Sequence, residues 1–340
     1  MELFYYRGSK PNLGDDLNSE LWPEILPPEV LAADGFVLVG FGSILSEQWL
    51  GRFRGSDQRL IILGTGTSYD VPPAPLRDWL VLAVRGPLTA SVLGMPETSA
   101  TDGAVLLADA PRLVGPARPR TDVVFVPHHR SIRSSPWSEI AEDAGMRFVS
   151  PQWPLRRVLD EFASARLVLA EAMHGAIIAD TLRIPWIPLT ISPVIDEFKW
   201  RDWLGSVGLE FQPVQIPAGD PRDLLRYDRM ARVLANAGMS GHANIPPDAS
   251  SERLRAFLAK RFAPELKAEL LAADHGTLVD KARAGWRMPI RGRARSRTVD
   301  GLRRAAATAP FLSADSIHHD RLEQLREAVG HLCEVVLGGS

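Results

Sequence analysis

Residues 165–180 read ARLVLAEAMHGAIIAD. Ala165–Leu169, with Ala170, is a short apolar run of the kind shown by a strand buried on both faces. It enters the turn Glu171-Ala172-Met173-His174-Gly175 and then a helical stretch, Ala176–Leu182. Strand, glycine turn and helix make the unit of a parallel sheet covered by helices.

The unit recurs on both sides. Asp122–Val126 leads into Pro127-His128-His129, with helical Ser138–Ala144 and Val158–Ala163 around a short strand at Arg147–Val149. Ile184–Leu189 carries two prolines and reads as an edge or short strand. Toward the N-terminus, Glu2–Tyr6, Gly35–Gly40, Arg59–Leu63 and Leu80–Val84 are strands, separated by helical Leu17–Leu26 and Ile44–Leu50 and followed by helical Leu88–Leu93. Pro111–Arg120 is a Pro- and Arg-rich break. The expected fold is therefore α/β, with Rossmann-like lobes over residues 1–115 and 116–222 and a cleft between them. Residues 223–340 form a helical extension, with helices at Leu225–Ala237, Leu254–Leu271 and Ser316–Leu337. In such sheets ligands sit outside the carboxyl ends of the strands, so the turn residues carry function.

Composition narrows the class. Of 340 residues, 45% are hydrophobic and 24% charged, the balance of a globular protein rather than a disordered one. No apolar run reaches the roughly 18 residues that span a bilayer. The N-terminus has neither the basic nor the apolar region of a secretory signal. The single cysteine, Cys333, cannot make an internal disulfide, and the expected location is the cytoplasm. A net charge of −2 gives no global field for nucleic acid. Locally, Arg283–Arg304 holds eight arginines against Asp300 alone. Two readings stand for it: contact with an anionic membrane surface, or a solvated basic linker.

Four motifs carry chemistry, each beside a plainer alternative. Asn12-Leu13-Gly14-Asp15-Asp16 follows the first strand and can bind hydroxyls or supply a base, or be a turn capped by Asp16. Gly40-Phe41-Gly42-Ser43 and Gly64-Thr65-Gly66-Thr67 can offer amides to an anion, or allow close packing. Neither is a dinucleotide fingerprint, and there is no P-loop lysine. Arg85, at a strand end before Gly86-Pro87, can hold a carboxylate or phosphate, or make a salt bridge. His174 faces the cleft on its turn and suits proton transfer, or is a core histidine; Gly175 lets a ligand approach the helix start. His128 is a weaker case of the same placement. The histidines and cysteine show no zinc spacing, so no metal is expected.

Together these residues resemble the polysaccharide pyruvyl transferase family. The motifs follow in order: Asn12–Asp15, Gly42-Ser43, Gly64-Thr65-Gly66, Arg85-Gly86-Pro87-Leu88-Thr89, Thr101–Leu107 and His174-Gly175 within Glu171–Asp180. Phe198-Lys199-Trp200-Arg201-Asp202-Trp203 looks like the group containing succinoglycan pyruvyl transferases. The resemblance covers roughly residues 3–210. It implies a fold similar to GT-B glycosyltransferases and transfer of pyruvate from phosphoenolpyruvate to a sugar of a cell-surface polysaccharide or its lipid-linked precursor. The product is a cyclic ketal, and no cofactor is needed. In that reading His174 and Asp15 are catalytic. Arg85, Gly42, Ser43, Gly64, Thr65, Gly66, Gly175, Lys199 and Arg201 bind the donor. Asn12, Gly14 and His128 bind the acceptor, and Arg283–Arg304 gives a peripheral contact at the inner membrane face. The sequence departs from the family pattern at Ala172, where many members carry Arg, and at Gly103, where Pro is usual. Lys199 or Arg201 is the candidate replacement for the missing cation. A nucleotide-sugar glycosyltransferase, with Glu171 as its ribose-binding acid, and an inactive subunit of an assembly complex are the alternatives.

Overall fold

The computed structural model describes residues 1–73, 79–116, 118–132, 135–239, 245, 250–275 and 290–338. Two parallel sheets organise it. The first contains β1 (Glu2–Phe4), β2 (Phe36–Val39), β3 (Arg59–Thr65) and β4 (Trp79–Val84), in that spatial order. The second contains β5 (Asp122–Val126), β6 (Arg147–Phe148), β7 (Ala165–Ala170), β8 (Trp186–Thr190) and β9 (Val214–Gln215), ordered β6-β5-β7-β8-β9.

The apolar runs are explained by what covers each face. Successive side chains of a strand point to opposite faces. Leu38, Ile61 and Leu63 enter one core, while Val37, Val39, Leu60 and Ile62 enter another on the far side of the first sheet. In the second sheet Val124, Val126 and Val168 join the first of these cores, and Phe125, Leu167 and Leu169 a third. One core is thus shared by both sheets and by helix Leu13–Ile25 and helix Met173–Thr181. Trp22, fully buried in it, would cost about 3–5 kcal/mol if cut to Ala.

The predicted strands are present, with β9 as an addition. Helix Leu13–Ile25 begins earlier than the sequence suggested, so the Asn12–Asp16 motif is a helix N-terminus rather than a loop. Asn12 is its N-cap residue, and Asp15 and Asp16 lie in its first turn, where negative charge suits the helix dipole. The Pro111–Arg120 break is packed rather than free. Leu113 enters the shared core, and Arg120 donates to the carbonyls of Leu182 and Arg183.

The described part of residues 223–340 contains helices joined by non-helical segments, among them Phe311, which bridges to Trp186, and these helices largely cover the two sheets. Leu322, Leu325, Leu332 and Val336 of helix Asp315–Gly338 enter the shared core. Asp180 anchors this return by accepting from Ser313 and from Trp186 Nε1. Helix Ile290–Ala306 lies on the second lobe, with Val299, Leu302 and Ala305 in that lobe's core. Its Arg295 bonds Asp143 at 2.7 Å and Glu139 at 2.6 Å. Over residues 290–304 this corrects the solvated-linker reading, and Arg295 is already ion-paired to the protein; Arg283 and Arg287 lie outside the described residues. No described helix is long and apolar enough to cross a membrane.

Candidate active site

In the second sheet β6 and β7 lie on opposite sides of β5, so the strand order reverses between β5 and β7. Ligands of open parallel sheets bind at that switch, outside the carboxyl ends. His128 follows β5 there, and Glu171–His174 follows β7. The first lobe meets this point with the start of helix Leu13–Ile25, whose Leu13 amide donates to Pro151 O at 2.9 Å.

His174 is the centre of the junction. A Cβ placed on Gly14 would lie 1.8 Å from its Nδ1, so glycine is required for the ring to lie on the helix start. On the other edge, His174 Nε2 lies 3.7 Å from Asp102 Oδ2. Both atoms are buried and have no hydrogen-bond partner, while the imidazole side chain keeps 16% exposure. The ring thus turns one nitrogen to a buried carboxylate and keeps its accessible part elsewhere. Asp102 is held by its other oxygen, which accepts the Ala104 amide at 3.0 Å.

Asp15 stands beside His174. Burial pushes its carboxyl up to about 6, opposed by the neighbouring His174 and Lys199 and by Asn12, whose amide donates to it. Gly42, at φ +127°, passes the same carboxylate: its absent Cβ would sit 3.3 Å from Asp15 Oδ1. Lys199 comes from helix Glu197–Ser206 and donates to Tyr69 Oη at 2.8 Å. Tyr69 is one of two described non-glycine residues at positive φ, a conformation costing about 1–3 kcal/mol and typical of functional sites. His128 is also at the switch. Burial, then His129, Lys199 and Arg130, hold its imidazole well below the usual range.

The glycine turns resolve toward packing. The Gly64 Cβ position is 2.4 Å from Gly103 Cα, and β3 is bulged there against β4. The Gly66 amide donates to Gly42 O, and a Cβ on Gly66 would strike the Arg85 guanidinium at 2.2 Å. Thr65 is buried, with its carbonyl bonded to the Arg85 amide. Gly175 is buried, and its amide donates to Ala172 O. These amides and faces are occupied by the protein.

Arg85 gives the clearest correction. Its side chain is fully buried and donates to Asp202 Oδ2 at 3.0 Å, Gly42 O, Ser43 Oγ and Thr67 O. Asp202 also accepts the Thr89 amide and hydroxyl. Arg85 therefore fixes the turns, with its guanidinium bonded on all sides by the protein. Ser43 remains half-buried beside it. Arg201 lies 3.7 Å from Glu197, and its Nε is buried without a partner.

The structural parts played by three residues escaped sequence reasoning. Asn18 donates to Phe41 O and accepts from Trp22 Nε1, pinning the helix start to the end of β2. Glu171 accepts the amides of His128, Ile191 and Ser192, each at 2.9 Å, tying together the ends of β5, β7 and β8. Its carboxyl is raised by burial and wholly engaged, which removes it as a ribose-binding acid. Asp202 was visible only as part of a motif. Trp200 and Trp203, on its own helix, pack with Trp186 at 6.2 and 5.3 Å, and this directs Asp202 toward the first lobe.

The chain is 31% identical over 329 residues to the succinoglycan biosynthesis protein ExoV of Rhizobium meliloti (strain 1021), covering 96% of each chain. The chain belongs to the succinoglycan pyruvyl transferase-like family. The family likeness therefore extends past residue 210 and takes in the C-terminal helices that finish both lobes. No family model and no solved structure matches the chain.

Proposed function

We propose that the protein transfers pyruvate from phosphoenolpyruvate to two hydroxyls of a sugar in exopolysaccharide biosynthesis, on a two-lobed fold of the GT-B kind. The observation that carries this reading is the meeting of His174, Asp15 and Lys199 at the carboxyl ends of both sheets, in a chain of this family. It supports the reading because a histidine, a carboxylate held near 6 and a lysine lie close together.

The chemistry follows from those groups. Protonated His174 gives a proton to the methylene carbon of phosphoenolpyruvate, which makes C2 electrophilic. A sugar hydroxyl attacks C2 and passes its proton to Asp15, which is ionised above about pH 6. The C2–O bond breaks, and phosphate leaves with the bridging oxygen. The second hydroxyl attacks C2 and closes the ketal. Of the two hydroxyl protons, one replaces that now in the methyl group and the other leaves with phosphate. Asn12 orients Asp15 by its side-chain bond, and Asp102 faces the far edge of His174. The acceptor is a sugar of a polysaccharide or of its lipid-linked precursor.

The test is incubation with phosphoenolpyruvate and a panel of hexose-containing acceptors, read by mass spectrometry. The expected product is an acceptor heavier by one pyruvate less one water, formed with an equal amount of phosphate. Saturable binding of a nucleotide sugar together with no binding of phosphoenolpyruvate would replace this reading with glycosyl transfer.

A further inference from the structure

We propose that Lys199, Arg130 and Arg261 form the seat for the donor's anionic groups, and that Arg261 supplies the cation that Ala172 leaves out. The anion's identity rests on the pyruvyl transfer reading; the seat itself rests on the following geometry.

Arg261 closes helix Ser251–Arg261, in a stretch without any motif. It lines a cavity of about 230 Å³ with Thr190, Ser192, Asp196, Glu197 and Gln215 as the other polar residues of its walls. Its guanidinium is only partly exposed, yet among the described residues nothing ion-pairs or hydrogen-bonds it. A charge withdrawn from water without a partner is costly, and an anion relieves that cost. Burial lowers the Arg261 pKa and Arg130 adds to this, while Asp196, Tyr69 and Glu197 oppose it.

The other two cations do not line the cavity but lie near Arg261, Arg130 acting on it directly and Lys199 through Tyr69 and Phe262. Glu171 holds the His128 amide on one oxygen and the Ile191 and Ser192 amides on the other. The cavity wall at Ser192 is therefore one carboxylate away from His128. Arg130 follows two residues on, its amide directed at His128 Nδ1, and its guanidinium has no partner among the described residues. On the opposite side, Tyr69 accepts from Lys199, and its ring meets that of Phe262 at 5.6 Å, next to Arg261. Burial and then His129 depress the His128 imidazole, and Lys199 and Arg130 add to this because both cations lie near it.

Two acids share the cavity wall and act on Arg261, and each has other contacts. Asp196 accepts from the Ser68 hydroxyl and the Phe198 amide, and Glu197 faces Arg201. Asp15 faces Lys199 from the reaction side. Phosphoenolpyruvate carries a phosphate and a carboxylate, so it needs more than one cation, and guanidinium forks match both groups.

The test is calorimetric titration of the full chain with phosphoenolpyruvate, inorganic phosphate and a nucleotide sugar. Arg261→Ala and Arg130→Ala should each weaken phosphoenolpyruvate binding about tenfold or more, with Arg261→Lys between them and the wild type. Arg232→Ala, which removes an exposed pair with Asp228, should leave binding unchanged. Thermal unfolding checks that each variant is folded. Wild-type affinity in both alanine variants would overturn the seat and leave pyruvyl transfer standing. Binding of phosphate or a nucleotide sugar through Arg261, without phosphoenolpyruvate, would keep the seat and remove pyruvyl transfer. A wild-type protein that binds none of the three anions would overturn the seat.

Discussion

Arg85 and Arg261 are both withdrawn from bulk water, and they are held in opposite ways. Arg85 has a buried carboxylate, two carbonyls and a hydroxyl around its guanidinium. Arg261 has a cavity, the Phe262 ring 5.3 Å from its guanidinium, and no hydrogen-bond or ion-pair partner among the described residues. The first sits in a conspicuous motif at a strand end, the second in a helix that no motif marks. The difference teaches that a cation's role is decided by what already neutralises it. A saturated arginine builds the scaffold; an unsatisfied one is available to a ligand.

The contrast breaks first, if it is wrong, on stability. Arg85→Ala leaves Asp202 buried without its charge partner and should cost about 3–5 kcal/mol in urea unfolding. Arg261→Ala should change stability by about 0.5 kcal/mol or less, because only a half-exposed contact with the Phe262 ring is lost. Equal losses in the two variants would erase the distinction. Next in size is His174→Ala, expected to slow turnover about 100-fold or more with little change in unfolding. Near-normal turnover would take His174 out of the chemistry.

Asp15 sharpens the comparison from the acidic side. Its carboxyl sits at about 6 in the folded chain, above the ordinary 3.8, so the folded state holds its proton more tightly than the unfolded one. Stability from this group therefore falls as pH rises from about 4 to 6, and the cost is fully present above that window. Asp15→Asn should stabilise the protein at pH 7 by about 1–3 kcal/mol, and the gain should vanish toward pH 4. Turnover of the wild type should fall on the acid side of about pH 6, as the base is protonated. A flat rate down to pH 5 would exclude Asp15 as the base. The smallest effect is expected for Gly14→Ala. Alanine favours the helix by about 1 kcal/mol, but its Cβ would displace the His174 ring. Turnover should drop about tenfold while helix content holds, and an unchanged rate would show that the close approach is dispensable.

Much of the scaffold was legible in the sequence because buried parallel strands announce themselves. FVLV at Phe36–Val39 and ARLVLA at Ala165–Ala170 are covered on both faces, and apolar runs follow. β9 was not legible, since two residues carry no period. The early start of helix Leu13–Ile25 was hidden because Asn12-Leu13-Gly14-Asp15 has turn composition, and Gly14 is there for His174 rather than for a turn. His174 and Asp15 could be picked out from strand-end placement. The role of Arg85 could not, because its partner Asp202 is 117 residues away. Asp102, Glu171 and Arg261 act through long-range contacts or the lack of them, and no local pattern encodes either.

The most direct measurement follows the bridging oxygen of phosphoenolpyruvate. The donor is labelled with heavy oxygen at that position and incubated with the wild-type chain and a hexose-containing acceptor. The heavy oxygen should appear in the released phosphate while the acceptor gains an unlabelled pyruvate ketal, because the C2–O bond breaks. Heavy oxygen retained in free pyruvate, with an unmodified acceptor, would mean cleavage at phosphorus and would contradict pyruvyl transfer.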